Sequence, residues 1–446
     1  MSTFFSRTDV DAKIQNSRWR WAAMAALLVA LAASTTGIVS SSHADGPGIE
    51  EGDGWLNFVD YYVGTHDEIV EIRARLLAEL DEAEHRIDTA IAGLDDEEIE
   101  QALVDAANRG VRVRVVADEH LEESGQFDVL VEHNRIDVAF GDGELTYLPE
   151  PHLSPILEFC VDEGDHTDCT NAQLSQQENT DGVMVRPSDY NVMSHTFFLI
   201  DNTYVWNISA PLTDEQRIWP TFRAMSEELA NSFEREFRQM HGGVFSTTLS
   251  VYNGPLKSVT HQDPLRLTNR GQLRVRFNPQ ERLVKNVVDE VLRARASVFV
   301  MSENVVNEDL IAALQYKADN DFEVRVMHGQ GQAQSVYDQL EGLDPVEAPA
   351  EMGRLPTMVV IDSERDRNGN RQPRLVQMLS HELWRAQPFE VVANLPANRV
   401  LFYPSDTFAD GVMWEIVESG FGSQRNPEAD RFIDTWESMW QEAHDE

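Results

Sequence analysis

The sequence predicts an α/β fold made of two homologous halves in one chain. One observation behind this prediction is an internal repeat, in which residues 82–118 align without a gap with residues 293–329 at a constant offset of 211 positions. Another is that each copy alternates helical and strand patterns, which predicts sheets covered by helices. In addition, each half later reaches an apolar strand that ends in aspartate, SHTFFLID at 194–201 and LPTMVVID at 355–362.

The repeated unit has the pattern of helix, strand, helix and strand. The first helix is predicted near 68–85, because apolar residues recur there at helical spacing: Ile69, Ile72, Leu76, Leu77 and Leu80. Residues 87–91 form a short apolar strand, 95–108 an amphipathic helix and 111–117 a strand rich in valine. Gly110 stands where a glycine is expected just after the end of the second helix.

These patterns divide the chain into a first half at about 54–250, a polar linker at 251–270 and a second half at 271–446. The first half is the longer one, because 83 positions separate Asp118 from Asp201 whereas 33 separate Gly329 from Asp362. We therefore expect an insertion of about 50 residues, the difference between these spacings, within residues 119–190.

Cys160 and Cys169 are the only cysteines, and both lie in the predicted insertion with eight residues between them. In an oxidising compartment such a pair most simply forms a disulfide, which closes a small loop and stabilises the fold by about 2–3 kcal/mol. A zinc site that includes His166 is the alternative, although the CxxC spacing typical of zinc sites is absent. The structural disulfide is the favoured interpretation, and no metal site is predicted.

The N-terminus has the pattern of a secretory signal peptide over residues 1–44. Four basic residues precede an apolar run of twelve residues at 22–33, and Ser42 and Ala44 supply the small residues of a cleavage site. Twelve apolar residues are too few to span a bilayer comfortably. The alternative is an uncleaved anchor, because weakly apolar residues continue to Val39. We expect an exported protein, periplasmic, envelope-associated or secreted, with no stable membrane span once the leader is removed.

The chain is strongly acidic, with 36 Lys and Arg against 77 Asp and Glu and a formal net charge of −41. Such a charge repels phosphate backbones, whereas nucleic-acid binders gain affinity from Lys and Arg, so no nucleic-acid partner is expected. Because 42% of the residues are hydrophobic, the chain can still form packed cores. Only four residues are lysines, which argues against a mechanism that needs several of them: Lys13, Lys257, Lys285 and Lys317.

Two α/β halves, each with a strand that ends in Ile-Asp after the repeated unit, resemble the phospholipase D superfamily. YVWNISAPLT at 204–213 is similar to the strand and turn after that family's first motif, and residues 233–245 and 432–440 are similar to the helices that end its halves. The resemblance covers most of the chain and implies two α-β-α sandwich halves that form a pseudo-dimer. It also implies that an HxKxxxxD motif and a GSxN-like turn from each half meet in one site. There one His attacks phosphorus, the other protonates the leaving oxygen, and the lysines stabilise the phosphoryl charge.

Both motifs are degenerate when Asp201 and Asp362 are aligned with the motif's aspartate. The family's histidine and lysine positions are then occupied by Ser194, Thr196, Leu355 and Thr357. Ser209 matches the serine of the first turn, while Ile208 and Pro211 replace its glycine and asparagine.

His195 is the candidate nucleophile beside the first motif, one residue out of register. A shift of one residue turns a strand side chain to the opposite face. A packing role is therefore favoured over catalysis.

Other candidate sites are weaker. Ser380 precedes His381, but no nucleophile-elbow pattern surrounds the pair. Residues 366–371 alternate like a calcium loop, yet Asn368-Gly369 favours a hairpin turn. Two acids in the turn at 405–411, Asp406 and Asp410, bind a cation or cap a helix, and capping is the favoured interpretation.

The sequence therefore supports two function hypotheses. The first is an exported pseudoenzyme that keeps a phospholipase D-like fold, lacks the chemistry, needs no cofactor and binds a phosphodiester, phospholipid or other envelope ligand. The second is an active phosphodiesterase or phospholipase with a rewired site. A nuclease is disfavoured by the charge and by the missing lysines. The sequence says nothing about the oligomeric state.

Overall fold

The computed structural model describes most of both halves. Described are residues 49–51, 58–141 except 123, 193–245 except 214–217 and 244, 271–330 except 279 and 306, 340–380 except 341, 344, 366–370 and 373, 410–418 and 427–445, with the short pieces 148–149, 157–159, 161–162, 167–168, 182–183, 249–250, 254–255, 257, 265–266, 391–394 and 399–401. All of them lie in one compact unit that spans residues 48–446. The predicted leader and both cysteines lie outside the described residues.

The first half is built on a mixed sheet of eight strands. In chain order these are β1 (Ile49–Glu51), β2 (Phe58–Tyr62), β3 (Arg86–Ile91), β4 (Arg112–Asp118), β5 (Ile136–Gly141), β6 (Thr196–Ile200), β7 (Tyr204–Ile208) and β8 (Thr221–Met225). Their spatial order is β1-β2-β8-β7-β6-β3-β4-β5. The pairs β3–β4 and β4–β5 are parallel and the others antiparallel.

The second half is built on a second sheet of eight strands. They are β9 (Leu265–Arg266), β10 (Gly271–Asn278), β11 (Ser297–Ser302), β12 (Glu323–His328), β13 (Pro345–Glu347), β14 (Thr357–Ile361), β15 (Leu375–Leu379) and β16 (Gly411–Glu418). Their spatial order is β9-β10-β16-β15-β14-β11-β12-β13. This order repeats that of the first sheet strand for strand, and the pairs β11–β12 and β12–β13 are again the parallel ones.

Helices cover the sheets. They are α1 (His66–Glu82), α2 (Glu97–Arg109), α3 (Asp128–Glu132), α4 (Glu227–His241), α5 (Leu283–Arg293), α6 (Glu308–Ala318) and α7 (Pro427–Asp445), with short 3-10 turns at Glu119–Leu121 and Ala350–Met352. Helix α2 begins after Asp96, whose side chain accepts from two first-turn amides, and it ends at Gly110 with a φ of 98°. The predicted glycine at the helix end is confirmed.

The internal repeat is structural as well as sequential. Strand β11 begins 211 positions after β3, helix α6 begins 211 positions after α2, and β12 begins 211 positions after β4. The two-half α/β architecture predicted from the sequence is confirmed. The predicted hairpin near residue 368 agrees with the antiparallel pairing of Glu364–Arg365 with Arg371–Gln372, although the turn itself lies outside the described residues.

The apolar side chains form three clusters. One lies within the first half beneath α1 and α2, and one lies within the second half beneath α5 and α6. The third contains residues of both halves, including those of α4 and α7. In this shared core the Phe233 ring lies 5.1 Å from that of Phe277, and the Tyr61 ring lies 5.9 Å from that of Trp414. Apolar surface of both sheets is therefore buried in one core that the halves share.

The predicted insertion contacts the second half. Its piece Leu157–Phe159 pairs with Val391–Asn394, which in turn pairs with Arg399–Leu401. Among the described residues, none of the helices is long and apolar enough to span a membrane.

Candidate functional site

The residues that lead into strand β6 lie at the junction of the two halves. The Ser194 backbone N–H and the Ser194 hydroxyl both donate to the Asp410 carbonyl at 2.8 Å. Met193 forms a parallel bridge with Asp410, and its N–H donates to Asp118 Oδ2 at 2.6 Å. The first motif of the first half is thus fastened to the start of β16 in the second half.

A cluster of four polar side chains lies beside this crossing. Lys257, from the linker region, donates from its Nζ to Glu236 Oε1 of α4 at 2.5 Å, and it also donates to Asp410 Oδ1. His195 Nε2 lies 3.5 Å from the same Glu236 oxygen. The side chains of His195, Glu236, Lys257 and Asp410 are 0% exposed. The cluster therefore joins the first half, the linker and the second half out of contact with solvent.

Apolar and amide groups surround the cluster. The His195 ring lies 5.6 Å from that of Phe197 and 6.0 Å from that of Phe277. The other oxygen of Glu236 accepts from the side-chain amide of Gln280 at 2.8 Å. Glu236 stands on the same face of α4 as the buried Phe233 and Phe237, which explains why a carboxylate in mid-helix is directed inward.

Burial and the charged neighbours decide the protonation of the cluster. Burial lowers the pKa of His195 below its ordinary 6.5, and this effect outweighs the opposing contact with Glu236, so the imidazole is neutral at pH 7. Burial acts to raise the pKa of Glu236, but the charge of Lys257 and the contact with His195 outweigh it, so the pKa of Glu236 is lowered. Glu236 is therefore an ionised carboxylate that faces an ammonium and a neutral ring.

The motif aspartates hold turns. Asp201, with a φ of 49°, accepts from the backbone N–H groups of Glu84, His85 and Arg86 at 2.8–2.9 Å. Burial opposes ionisation of Asp201, but these three donors outweigh it and lower its pKa. Asp362, with a φ of 56°, accepts from the N–H groups of residues 295 and 296, which are the repeat counterparts of residues 84 and 85.

Ser209 also contacts the other half. Its Oγ accepts from the indole N–H of Trp414 at 2.8 Å, and both residues are fully buried. Ser209 thus links the two halves through a hydrogen bond from an aromatic side chain of β16.

The other motif positions stay within their own halves. Thr196 Oγ1 accepts from the Ala92 N–H at 3.5 Å. Thr357 Oγ1 lies 3.0 Å from Ser302 Oγ, and the Leu355 N–H donates to Glu303 Oε2 at 2.9 Å. Ser194 thus forms hydrogen bonds with Asp410 of the second half, whereas Thr196 forms one with Ala92 of its own half.

Three residues of the cluster were not among the predicted catalytic positions. The sequence predicts that Asp410 binds a cation or caps a helix, with the cap favoured. The cap is wrong for Asp410, which directly precedes strand β16. Glu236 has a signal in the sequence, since it is an acid on the apolar face of an amphipathic helix. Lys257 has a weaker one, as the only lysine of the linker. His195 is the one residue of the cluster that the sequence names as a candidate catalytic residue.

A family comparison agrees with this architecture. Residues 76–241 match the family model described as "Cardiolipin synthase, PLD-like domain". This part of the first half is thus similar to a phospholipase D-like domain. The matched range contains the end of α1, both motif segments of the first half and Glu236. No protein in the curated collection matches the chain.

Three solved structures are among those that the chain matches. Phosphatidylserine synthase from Haemophilus influenzae is 10% identical, with a TM-score of 0.48 over 86% of this chain and 86% of that one. Polyphosphate kinase from Porphyromonas gingivalis is 11% identical, with a TM-score of 0.45 over 86% of this chain, which spans half of the kinase chain. The phospholipase D family member Nuc from Salmonella typhimurium is 12% identical, with a TM-score of 0.27 over 38% of this chain and 95% of that one.

Proposed function

We propose that this protein is an exported, non-catalytic phospholipase D-like protein. The observation that carries the proposal is the full burial of His195 and Lys257 among two carboxylates at the junction of the halves. A nucleophilic imidazole must approach phosphorus closely, and here the ring is enclosed by Phe197 and Phe277. The junction acts as a polar core between the halves rather than as a substrate cleft.

The charge balance of the junction supports the same conclusion. Phosphoryl transfer needs cationic groups free to stabilise the charge on the transferring oxygens. The Lys257 ammonium is instead held by Glu236 and Asp410, which would also repel a phosphodiester. At the corresponding motif position of the second half the chain has Leu355, so no second imidazole is available from it.

The remaining parts of the proposal come from the sequence. Export is proposed from the leader pattern at 1–44, and the ligand class, a phosphodiester, phospholipid or other envelope component, from the fold family. Such a ligand would bind away from the closed junction. The acidic composition supports a partner other than nucleic acid.

An active phosphodiesterase with a rewired site is the second candidate. The observation in its favour is that one imidazole and one ammonium, the two catalytic group types of the family, do meet between the halves. In this case Glu236 would orient His195, and the junction would have to open for substrate.

An assay of the purified full chain tests the two candidates. Bis(4-nitrophenyl) phosphate and phosphatidylcholine vesicles are the substrates, and the variants are His195→Gln and a matched control, His328→Gln, which alters a buried histidine of β12. We expect wild type and both variants to turn over both substrates at the rate without protein. Turnover by wild type that falls at least 100-fold in His195→Gln but not in His328→Gln would establish the active enzyme instead.

A further inference from the structure

The junction cluster places two buried carboxylates around one position. Glu236 Oε1 and Asp410 Oδ1 both accept from the Lys257 ammonium, and all three side chains are 0% exposed. Buried carboxylates are paired with a cation or coordinate a metal. A divalent cation in place of the ammonium would match the charge of two carboxylates.

His195 supplies the second observation. Its ring is fully buried, and neither ring nitrogen forms a hydrogen bond with another residue of the described part of the chain. Nε2 nevertheless lies 3.5 Å from Glu236 Oε1 and is therefore directed at the carboxylates. A buried imidazole normally forms hydrogen bonds, and a buried ring nitrogen beside two carboxylates can instead bind a metal.

Three residues of the cluster place ligand atoms at distances that suit a metal site. His195, Glu236 and Asp410 offer a nitrogen and two carboxylate oxygens that all lie within 4.8 Å of one another. The Lys257 ammonium, which is in contact with both carboxylates, already marks where a cation is favoured.

We propose that a divalent transition-metal cation, Zn²⁺ or Mn²⁺, binds at this junction with His195, Glu236 and Asp410 as ligands, in place of the Lys257 ammonium. The inference rests on the proposed function, since it assigns to the closed junction a structural metal that holds the halves together. It departs from the prediction that the chain needs no metal.

The donor set selects the class of metal. One imidazole nitrogen with two carboxylates suits Zn²⁺ and Mn²⁺, whereas Ca²⁺ and Mg²⁺ prefer oxygen ligands alone. Lysine has a flexible four-carbon stem, so its ammonium can leave the carboxylates while its backbone stays in place. Because ammonium and metal compete for the same oxygens, Lys257 should weaken the apparent metal affinity.

Titration of the full chain with ZnCl₂ and MnCl₂ after treatment with a chelator tests the proposal. The titration is run calorimetrically in 0.5 M KCl, where the Debye length is about 4 Å and weak binding to the acidic surface is screened. We expect one equivalent of metal per chain and a higher midpoint of thermal unfolding with metal. The affinity should fall at least tenfold in His195→Gln and rise at least tenfold in Lys257→Met, and it should stay within twofold in His328→Gln.

Three results would overturn the inference. One is that wild type binds no stoichiometric metal, and another is that His195→Gln binds metal as tightly as wild type. The third is binding by Lys257→Met but not by wild type, which would make Lys257 the resident cation. If His195→Gln does not fold, Asp410→Asn and the visible spectrum of Co²⁺ bound to wild type report on the same ligands. The turnover assay separates the two proposals. If wild type binds no metal and turns over neither substrate, only the metal site is overturned. If wild type binds metal and also turns over a substrate, only the non-catalytic function is overturned.

Discussion

Trp414 of the second half donates its indole N–H to Ser209 Oγ of the first half at 2.8 Å, in a contact that is fully buried on both sides. Trp414 also packs against Tyr61 and Phe222 of the first sheet, with ring centroids 5.9 and 5.6 Å apart. A serine that resembles part of a catalytic turn thus stabilises the junction. The polar contacts between the halves are embedded in apolar surface, where an unmatched donor is costly.

Removal of the Ser209 hydroxyl should therefore destabilise the protein. Ser209→Ala leaves the indole N–H of Trp414 buried without an acceptor, and we expect a loss of about 1–3 kcal/mol in the free energy of unfolding. Urea unfolding checks the change. The matched control is Ser232→Ala, because the hydroxyl of that buried serine donates within its own helix, to the Glu228 carbonyl at 3.3 Å. A loss in Ser209→Ala no larger than in the control would contradict a role between the halves.

Asp201 should prove structural rather than catalytic. Asp201→Ala removes the acceptor of three backbone N–H groups, and alanine is strained at a φ of 49°. We therefore expect the free energy of unfolding to fall by about 2–4 kcal/mol. Asp201→Asn keeps one acceptor oxygen and tolerates the left-handed backbone, and its loss should be smaller. Asp362, the counterpart in the second half, should follow the same order. Equal losses for the two Asp201 variants would count against this account.

The Asp96 cap of helix α2 should make stability depend on pH. Burial acts to raise the pKa of Asp96, but hydrogen bonds from Arg73 and from the amides of Ile99 and Glu98 outweigh it and lower the pKa below the ordinary 3.8. A lowered folded-state pKa means that this stabilisation is present above about pH 4 and is lost as pH falls through the folded-state value. Asp96→Asn should thus cost about 1 kcal/mol at pH 7 and progressively less below pH 4, measured by urea unfolding.

The repeat offers the control for this prediction. Asn307, 211 positions after Asp96, caps helix α6 with a neutral side chain that accepts from the Leu310 N–H at 3.0 Å. Arg73 corresponds to Val284, so the second half has no arginine at that position. Asn307→Asp should therefore change stability at pH 7 by less than about 1 kcal/mol, which is the scale of a helix-dipole effect. A pH-independent loss in Asp96→Asn would refute the assignment to the carboxylate.

The junction cluster should behave as a coupled unit. Without added metal, Lys257→Met leaves Glu236 and Asp410 buried without their ammonium, and we expect a loss of about 3–5 kcal/mol. Adding Glu236→Gln to that variant removes one of the two repelling charges, so the double variant should be more stable than Lys257→Met alone. Urea unfolding of the four proteins in the mutant cycle measures the coupling. Additive losses would indicate that the two residues act independently.

The regular elements of the repeat could be predicted from local pattern. Helix α2, strand β4 and Gly110 follow from apolar spacing and from the conformational freedom of glycine, and the offset of 211 positions carries the same elements into the second half. The side chains that surround His195 could not be predicted in this way. Its neighbours are Glu236, 41 positions later, Lys257 and Asp410, and no local periodicity relates these residues.

Local pattern was enough for the two-half α/β architecture, the acidic charge and the absence of histidine and lysine from positions 194, 196, 355 and 357, because periodicity, composition and residue identity are local properties. The tertiary structure decided that Asp201 and Asp362 hold turns, that Ser209 contacts Trp414, and that an imidazole, an ammonium and two carboxylates meet out of solvent. These features depend on which distant surfaces pack together, because packing decides both the burial of a side chain and its hydrogen-bond and ion-pair partners. The same side chain is a solvated charge on an exposed helix face and a fixed, costly ion between two sheets.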